Sequence, residues 1–211
     1  MSTSTESSLT FERGLALLQA VADADGEPPT ISELAERIGV SRAAVYRLLG
    51  PLQSRGLVRR DGSRVRLGLG VLQLAGRVLP QLRVAAMPVL RALAEEVGAT
   101  AHLTVADGDD AQAVAVVEPS WTDFHVAYRV GSRHPLRRGA AGKAILLRPD
   151  DSEWACTVGE LQPGAHGVAA PLRGVPGLRA SVGVVALQPL DPAAVGPQVV
   201  AAARTLTTNL T

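Results

Sequence analysis

The chain has 211 residues, 46% of them hydrophobic, 3% aromatic and 19% charged, with a formal net charge of only +1. This composition is globular, with enough chain for two compact cores; it excludes a disordered protein, and no apolar run is long enough to span a bilayer. A single cysteine, Cys156, excludes an intrachain disulfide framework and fits a reducing cytoplasm.

The first ten residues, MSTSTESSLT, lack the basic and apolar regions of a signal peptide, so residues 1–9 are expected to be a mobile tail. Leu15, Leu18 and Val21 or Ala22 then predict a helix over about 10–24. Thr30 and Glu33 have the spacing of a capping box, in which each side chain satisfies a free amide at a helix start. Ile31, Leu34, Ala35 and Ile38 follow at i, i+3, i+4 and i+7, one buried stripe of a short helix. Gly39-Val40 makes a turn, and Ser41 is a natural N-cap for the next helix. There Val45, Leu48, Leu49 and Leu52 face inward, which turns Arg42, Ala43, Tyr46 and Arg47 outward near the helix start. A helix-turn-helix protein places the side chains that meet base edges at these positions, and small residues such as Ala43 and Ala44 let the helix sit deep in a groove.

An arginine-rich hairpin comes next. Asp61-Gly62 between the extended segments Leu57-Val58 and Val65-Leu67 is a strong hairpin signal. Val58, Val65 and Leu67 can pack inward, leaving Arg59, Arg64 and Arg66 on the outer face. Between Ser41 and Arg66 there are seven arginines, Arg60 among them, against one acid. On a chain that is nearly neutral overall, this is the electrostatic footprint of a phosphate-backbone binder. The expected contacts with double-stranded DNA are Thr30, Ser41, Arg42, Ala43, Ala44, Tyr46, Arg47, Arg59, Arg60, Arg64 and Arg66. The bland alternative is an ordinary helical hairpin with solvated arginines.

Residues 69–98 are leucine-rich at mostly helical spacing. Pro80 is expected to break or kink that helix, and Pro88 to open a second one. The segment buries its apolar face either on a partner subunit or on the chain's own C-terminal half. Beyond it, strands are expected over Thr100–Ala106, Ala111–Glu118, Phe124–Val130, Val168–Leu172 and Leu178–Leu187, with helices over Gly139–Arg148 and from Asp191 onward. The order predicts an antiparallel sheet with helices on one side. Four scattered histidines and Cys156 give no zinc-site spacing and no nucleophile pattern. GAAGKA lacks the spacing of a phosphate-binding loop. No enzyme activity, metal or cofactor is expected.

The run FERGLALLQAVAD, followed by TISELAERIGVSRAAVYRLLGPLQSRGLVRR, resembles the winged helix-turn-helix of the IclR family of bacterial transcription regulators. Downstream, GSRHPLRRGAAGKAIL, HGVAAPLRG and ASVGVVAL resemble the same family's ligand domain. The resemblance implies an α+β chain: a winged helix-turn-helix over 10–68, linker and dimerisation helices over 69–98, and a shortened GAF-like effector-binding domain over 99–211. It implies a cytoplasmic homodimer, or dimer of dimers, that binds an operator and more often represses than activates. A small organic acid is the expected effector, its pocket lying between the sheet and the loops above it. Gly139, Ala140, Ala141, Gly142 and Lys143 are the best lining candidates, because small residues at a helix start expose amides that favour a carboxylate. His102, Trp121, Tyr128 and His125 supply possible walls. Alternatively, the glycines only permit close packing of helix on sheet, and Lys143 is solvated. The chain departs from its family at Arg138-Gly139-Ala140, where many relatives carry a His-Ala-Thr-like stretch, and over Pro149–Gly167, which is shorter than usual. A regulator of the same fold that acts without a ligand is therefore the alternative reading.

Overall fold

The computed structural model describes residues 8–24, 26–122, 126 and 128–211. The chain divides into two compact units, Met1–Val78 and Leu79–Thr211. In the first, α1 (Leu9–Ala22), α2 (Ile31–Arg37) and α3 (Arg42–Ser54) close over a two-stranded hairpin of β1 (Val58–Asp61) and β2 (Arg64–Leu67). Of the tail expected over 1–9, residues 1–7 lie outside the described residues, and Leu9 already belongs to α1. Leu17, Leu34, Val45, Leu49 and Val65 are each 1% exposed or less and form the centre of this core. They are the inward positions of the periodic pattern, so tertiary packing and local spacing agree here.

Both caps form. The Thr30 hydroxyl accepts from the Glu33 amide, and the Glu33 carboxylate accepts from the Thr30 amide at 2.7 Å. Ser41 accepts from the Ala44 amide at 3.2 Å. One connection was not anticipated. The Ile31 amide donates to the Ser63 carbonyl at 2.8 Å and the Val65 amide to the Pro29 carbonyl at 2.9 Å, so the segment before α2 pairs with β2 as a bridge at Thr30 and Arg64.

Residues 70–97 form one continuous helix, α4 (Gly70–Val97), which passes through both Pro80 and Pro88. The expected break does not occur. Each proline removes one amide and crowds the carbonyl four residues back, at a cost of about 3 kcal/mol. The second half of the helix buries Leu82, Ala86, Leu90, Leu93 and Ala94, and three buried leucines at roughly 1.5–3 kcal/mol each are of the size needed to offset two such costs.

The second unit is built on a six-stranded antiparallel sheet in the order β5-β4-β3-β8-β7-β6. Its strands are β3 (Thr100–Asp107), β4 (Asp110–Val117), β5 (Arg133–Pro135), β6 (Ala155–Val158), β7 (His166–Leu172) and β8 (Ala180–Ala186), with helices α5 (Gly139–Leu146) and α6 (Pro192–Leu210). The strand expected over 124–130 falls partly on residues 124, 125 and 127, outside the described residues, as does His125; Val126 and Tyr128–Val130 carry no strand. The third strand of the sheet is instead the short β5.

Helices cover both faces of the sheet, not one. Ala101, Leu103 and Val105 of β3, Val168 and Ala170 of β7, and Val182 and Val184 of β8 share a core with α4 and α6. The alternate residues face the other way. Ala169 packs against Ala140 and Ala144 of α5, and Ser181 donates to the Ala141 carbonyl at 2.9 Å. Strict alternation along buried strands makes two apolar faces, and each needs its own cover. No helix among the described residues is long and apolar enough to cross a membrane.

Candidate nucleic-acid interface and ligand cavity

The outer face of α3 carries Arg42, Ala43, Tyr46 and Arg47, all exposed, with Ser41 exposed at the cap and Ala44 half-buried behind them. The hairpin stands beside this face: the Arg60 guanidinium lies over the Tyr46 ring, 5.4 Å from its centroid, a cation–π contact. Arg59 and Arg66 sit directly opposite each other in the β1–β2 register, both exposed. Like charges so placed repel, so the pair is stabilised by an incoming anion. Among the described residues, Arg42, Arg47, Arg59, Arg60 and Arg66 form no ion pair.

Two predicted contact residues are engaged otherwise. Arg64 was expected on the free outer face. It donates instead to the Pro28 carbonyl at 2.7 Å and pairs with Glu27 at 2.6 Å. The bridge to residues 29–31 turns it toward that segment. Thr30 is committed to its capping box and lies half-buried at the same bridge.

In the second unit a cavity of about 290 Å³ opens on the α5 side of the sheet. His102, Tyr128 and His134 form its polar wall, Gly139, Ala140 and Ala141 its helical wall. The residues 157–165 close a third side with Thr157, Glu160 and Leu161, so the shortened Pro149–Gly167 stretch still supplies a wall, through β6 and the turn after it. The His102 Nδ1 lies 3.2 Å from the Thr104 hydroxyl and its ring 5.0 Å from that of Tyr128. The Tyr128 hydroxyl lies 3.4 Å from His134 Nε2. Burial raises the pKa of Tyr128, opposed by a hydrogen bond with Thr104.

His102 is 4% exposed. Burial, and then the charge of His134, pushes its pKa down to about 3. The unfolded chain takes up this proton near the ordinary value of about 6.5, the folded chain only near the depressed one. Stability from this group is therefore complete above the unfolded value and erodes as pH falls toward the folded one. We expect the unfolding free energy of the second unit to drop by about 2 kcal/mol through His102 between roughly pH 7.5 and pH 5. Urea melts at the two pH values check this, and His102→Gln should flatten the difference. An equal drop in the variant would assign the dependence to other groups.

Of the other predicted pocket residues, Gly142 and Lys143 do not line the cavity. A Cβ on Gly142 would collide with the backbone of Leu136, so this glycine permits the close approach of α5. Lys143 pairs with Glu160. Trp121 stands elsewhere: it is 63% exposed, donates from its indole to the Glu95 carbonyl at 3.2 Å and lies over Gly98. Among the described residues, no cluster of histidine, cysteine and acidic groups could hold a metal ion.

Residues 10–62 match the model of the IclR helix-turn-helix domain, and residues 79–155 that of the bacterial transcriptional regulator IclR C-terminal domain. The chain belongs to the IclR family. Within this IclR family, it is 29% identical over 146 residues to the transcriptional repressor IclR of Escherichia coli, covering 67% of this chain and 53% of that protein. It is 32% identical over 158 residues to the probable transcriptional regulator SauR of Cupriavidus necator, covering 73% and 62%. The chain thus spans little more than half the length of these relatives. Its fold is that of the IclR of Thermotoga maritima, with a TM-score of 0.53 at 20% identity over 95% of this chain and 98% of that one. The same holds for an IclR homologue of Microbacterium hydrocarbonoxydans complexed with 4-hydroxybenzoate, with a TM-score of 0.53 at 18% identity over 95% and 98%.

Sequence reasoning missed Glu160, His134, Thr157 and Leu161 in the IclR-family cavity. His134 lies within GSRHPLRRGAAGKAIL, so the motif itself held that signal. Glu160 had no local one, because its partners Gly139 and Lys143 are 21 and 17 residues away.

Proposed function

We propose that this chain is a cytoplasmic, sequence-specific, double-stranded-DNA-binding transcription regulator, more naturally a repressor, and that it is not an enzyme. The observation that carries this reading is the joint face of α3 and the hairpin, where Tyr46 and Arg60 touch and five arginines have no acidic partner among the described residues. Helix α3 enters the major groove with Ser41, Arg42, Ala43, Ala44, Tyr46 and Arg47 on base edges and flanking phosphates. Arg59, Arg60 and Arg66 clamp the backbone or a neighbouring minor groove.

The cavity beside α5 takes a small-molecule effector, a small organic acid, against His102, Tyr128, Gly139, Ala140 and Ala141. Effector binding shifts operator affinity through the coupling of the two sites. The regulator works as a homodimer or dimer of dimers. Leu72, Leu74, Val78 and Val84 of α4 are each more than half exposed, and exposed apolar side chains of this kind are suited to a second copy.

The test is fluorescence anisotropy with the DNA upstream of the protein's own gene against a scrambled fragment, at two salt concentrations. Tight binding that survives moderate salt only on the native fragment is the expected result. Equal, salt-sensitive binding to both fragments would reduce the chain to a nonspecific basic module.

A further inference from the structure

The amide end of α5 is already occupied by the chain's own carboxylate. The Glu160 side chain accepts from the Gly139 amide at 3.0 Å and from the Lys143 ammonium, while Arg138 donates to the Glu160 main-chain carbonyl. Leu161 follows it over Gly139, where a Cβ would overlap its side chain. These residues sit on the cavity's third side, in a turn bounded by Gly159 and Gly164, both at positive φ.

Among the described residues, the arginine and the lysine at the cavity are already paired. Its lining arginine, Arg133, is tied to Asp107 at 2.7 Å and to Asp110 at 3.4 Å. Lys143, which borders it, is spent on Glu160. His102 is neutral at physiological pH. A polar group remains in the lining: His102, 4% exposed, bonds through Nδ1 to Thr104 and makes no hydrogen bond at Nε2 among the described residues.

We propose that Glu160 is an internal ligand of the α5 amide end, so that a carboxylate effector binds this cavity only by displacing it. The proposal rests on the reading of the cavity as an effector site and adds its regulation. The internal carboxylate has the same charge as the acid it excludes and accepts from the same donors. It is held at the high effective concentration of a tethered group. The apparent affinity for an acid falls in proportion to the fraction of molecules in which the turn has lifted away, so an open fraction of about one tenth weakens it about tenfold. A neutral ligand that uses only His102, Tyr128 and the apolar wall meets no such competitor. Glu160 is therefore a determinant of charge selectivity: it sets a threshold that the acid must exceed.

The experiment is calorimetric titration of the full chain and its Glu160→Ala variant with benzoate and benzamide, two probes of the same shape that differ in charge. Benzoate is expected to bind Glu160→Ala at least tenfold more tightly than the wild type, and benzamide to bind both alike. Adding Lys143→Met to Glu160→Ala should remove most of the benzoate gain. Benzoate binding the wild type as tightly as the variant would overturn the proposal. So would benzamide binding to both proteins without any benzoate gain in the variant, an outcome that leaves the cavity's effector role standing. Failure of both probes with all three proteins would overturn the effector reading together with the proposal.

Discussion

Leu34→Ala is expected to destabilise the N-terminal unit by about 2–5 kcal/mol and to abolish DNA binding at physiological temperature. Leu34 is completely buried at the centre of a core of nine residues. Truncation removes the transfer energy of three carbons and leaves a cavity that the three short helices can only partly collapse. A unit of this size has roughly 5 kcal/mol of stability in all, so the loss is comparable with the whole. Its melting transition should fall by roughly 10 °C or more. The second unit has a separate core around Leu103, Val182 and Leu206, so the melting of that unit should be unchanged. Circular dichroism with anisotropy on the same samples checks both halves, and a variant that binds DNA with wild-type affinity would refute the assignment of this core.

The second large effect concerns the arginines, which should separate into three behaviours. Arg47→Ala should cost roughly 1–3 kcal/mol of specific affinity if the side chain pairs with a guanine. It should leave nonspecific binding much less affected. Arg59→Ala combined with Arg66→Ala should weaken binding to all sequences alike and reduce the slope of log affinity against log salt by about 2. Arg64→Ala should change that slope far less, because its charge is already paired with Glu27. Anisotropy over a salt series on native and scrambled DNA reads all three. A slope that falls as much for Arg64→Ala as for the double variant would mean that the Glu27 pair does not persist in solution.

The contrast between Arg64 and its neighbours shows where sequence reading reaches and where it stops. The capping box at Thr30, the turn at Gly39, the cap at Ser41 and the loop at Gly62 were all legible, because each depends on residues within four positions of one another. The fate of Arg64 depends on Glu27 and Pro28, 37 and 36 residues earlier, and nothing in the hairpin announces that they return to its side. The same limit hid Glu160 from the reading of GAAGKA, and it hid the second helical cover of the sheet, since alternation along buried strands is masked when both faces are apolar. At Pro80 and Pro88 the local rule pointed to an interruption between two helices, yet α4 runs through both, its buried leucines offsetting the local cost. The glycines of α5 divide between the two readings given for them. Gly142 serves packing, while Gly139 offers its amide to a carboxylate, one supplied by the chain itself.

The stitch between residues 29–31 and β2 has a consequence for the thermodynamics of recognition. A free arginine-rich loop must be ordered when it meets DNA, at about 1–2 kcal/mol of backbone entropy per residue. Here two backbone hydrogen bonds from outside the hairpin hold it in register before any partner arrives. On the proposed role, its cations would meet the phosphates at a fixed spacing, as a preformed template. In that role, changing Arg59 or Arg66 tunes the strength of the grip, while the aim of the hairpin is set by its backbone bonds to Pro29 and Ile31.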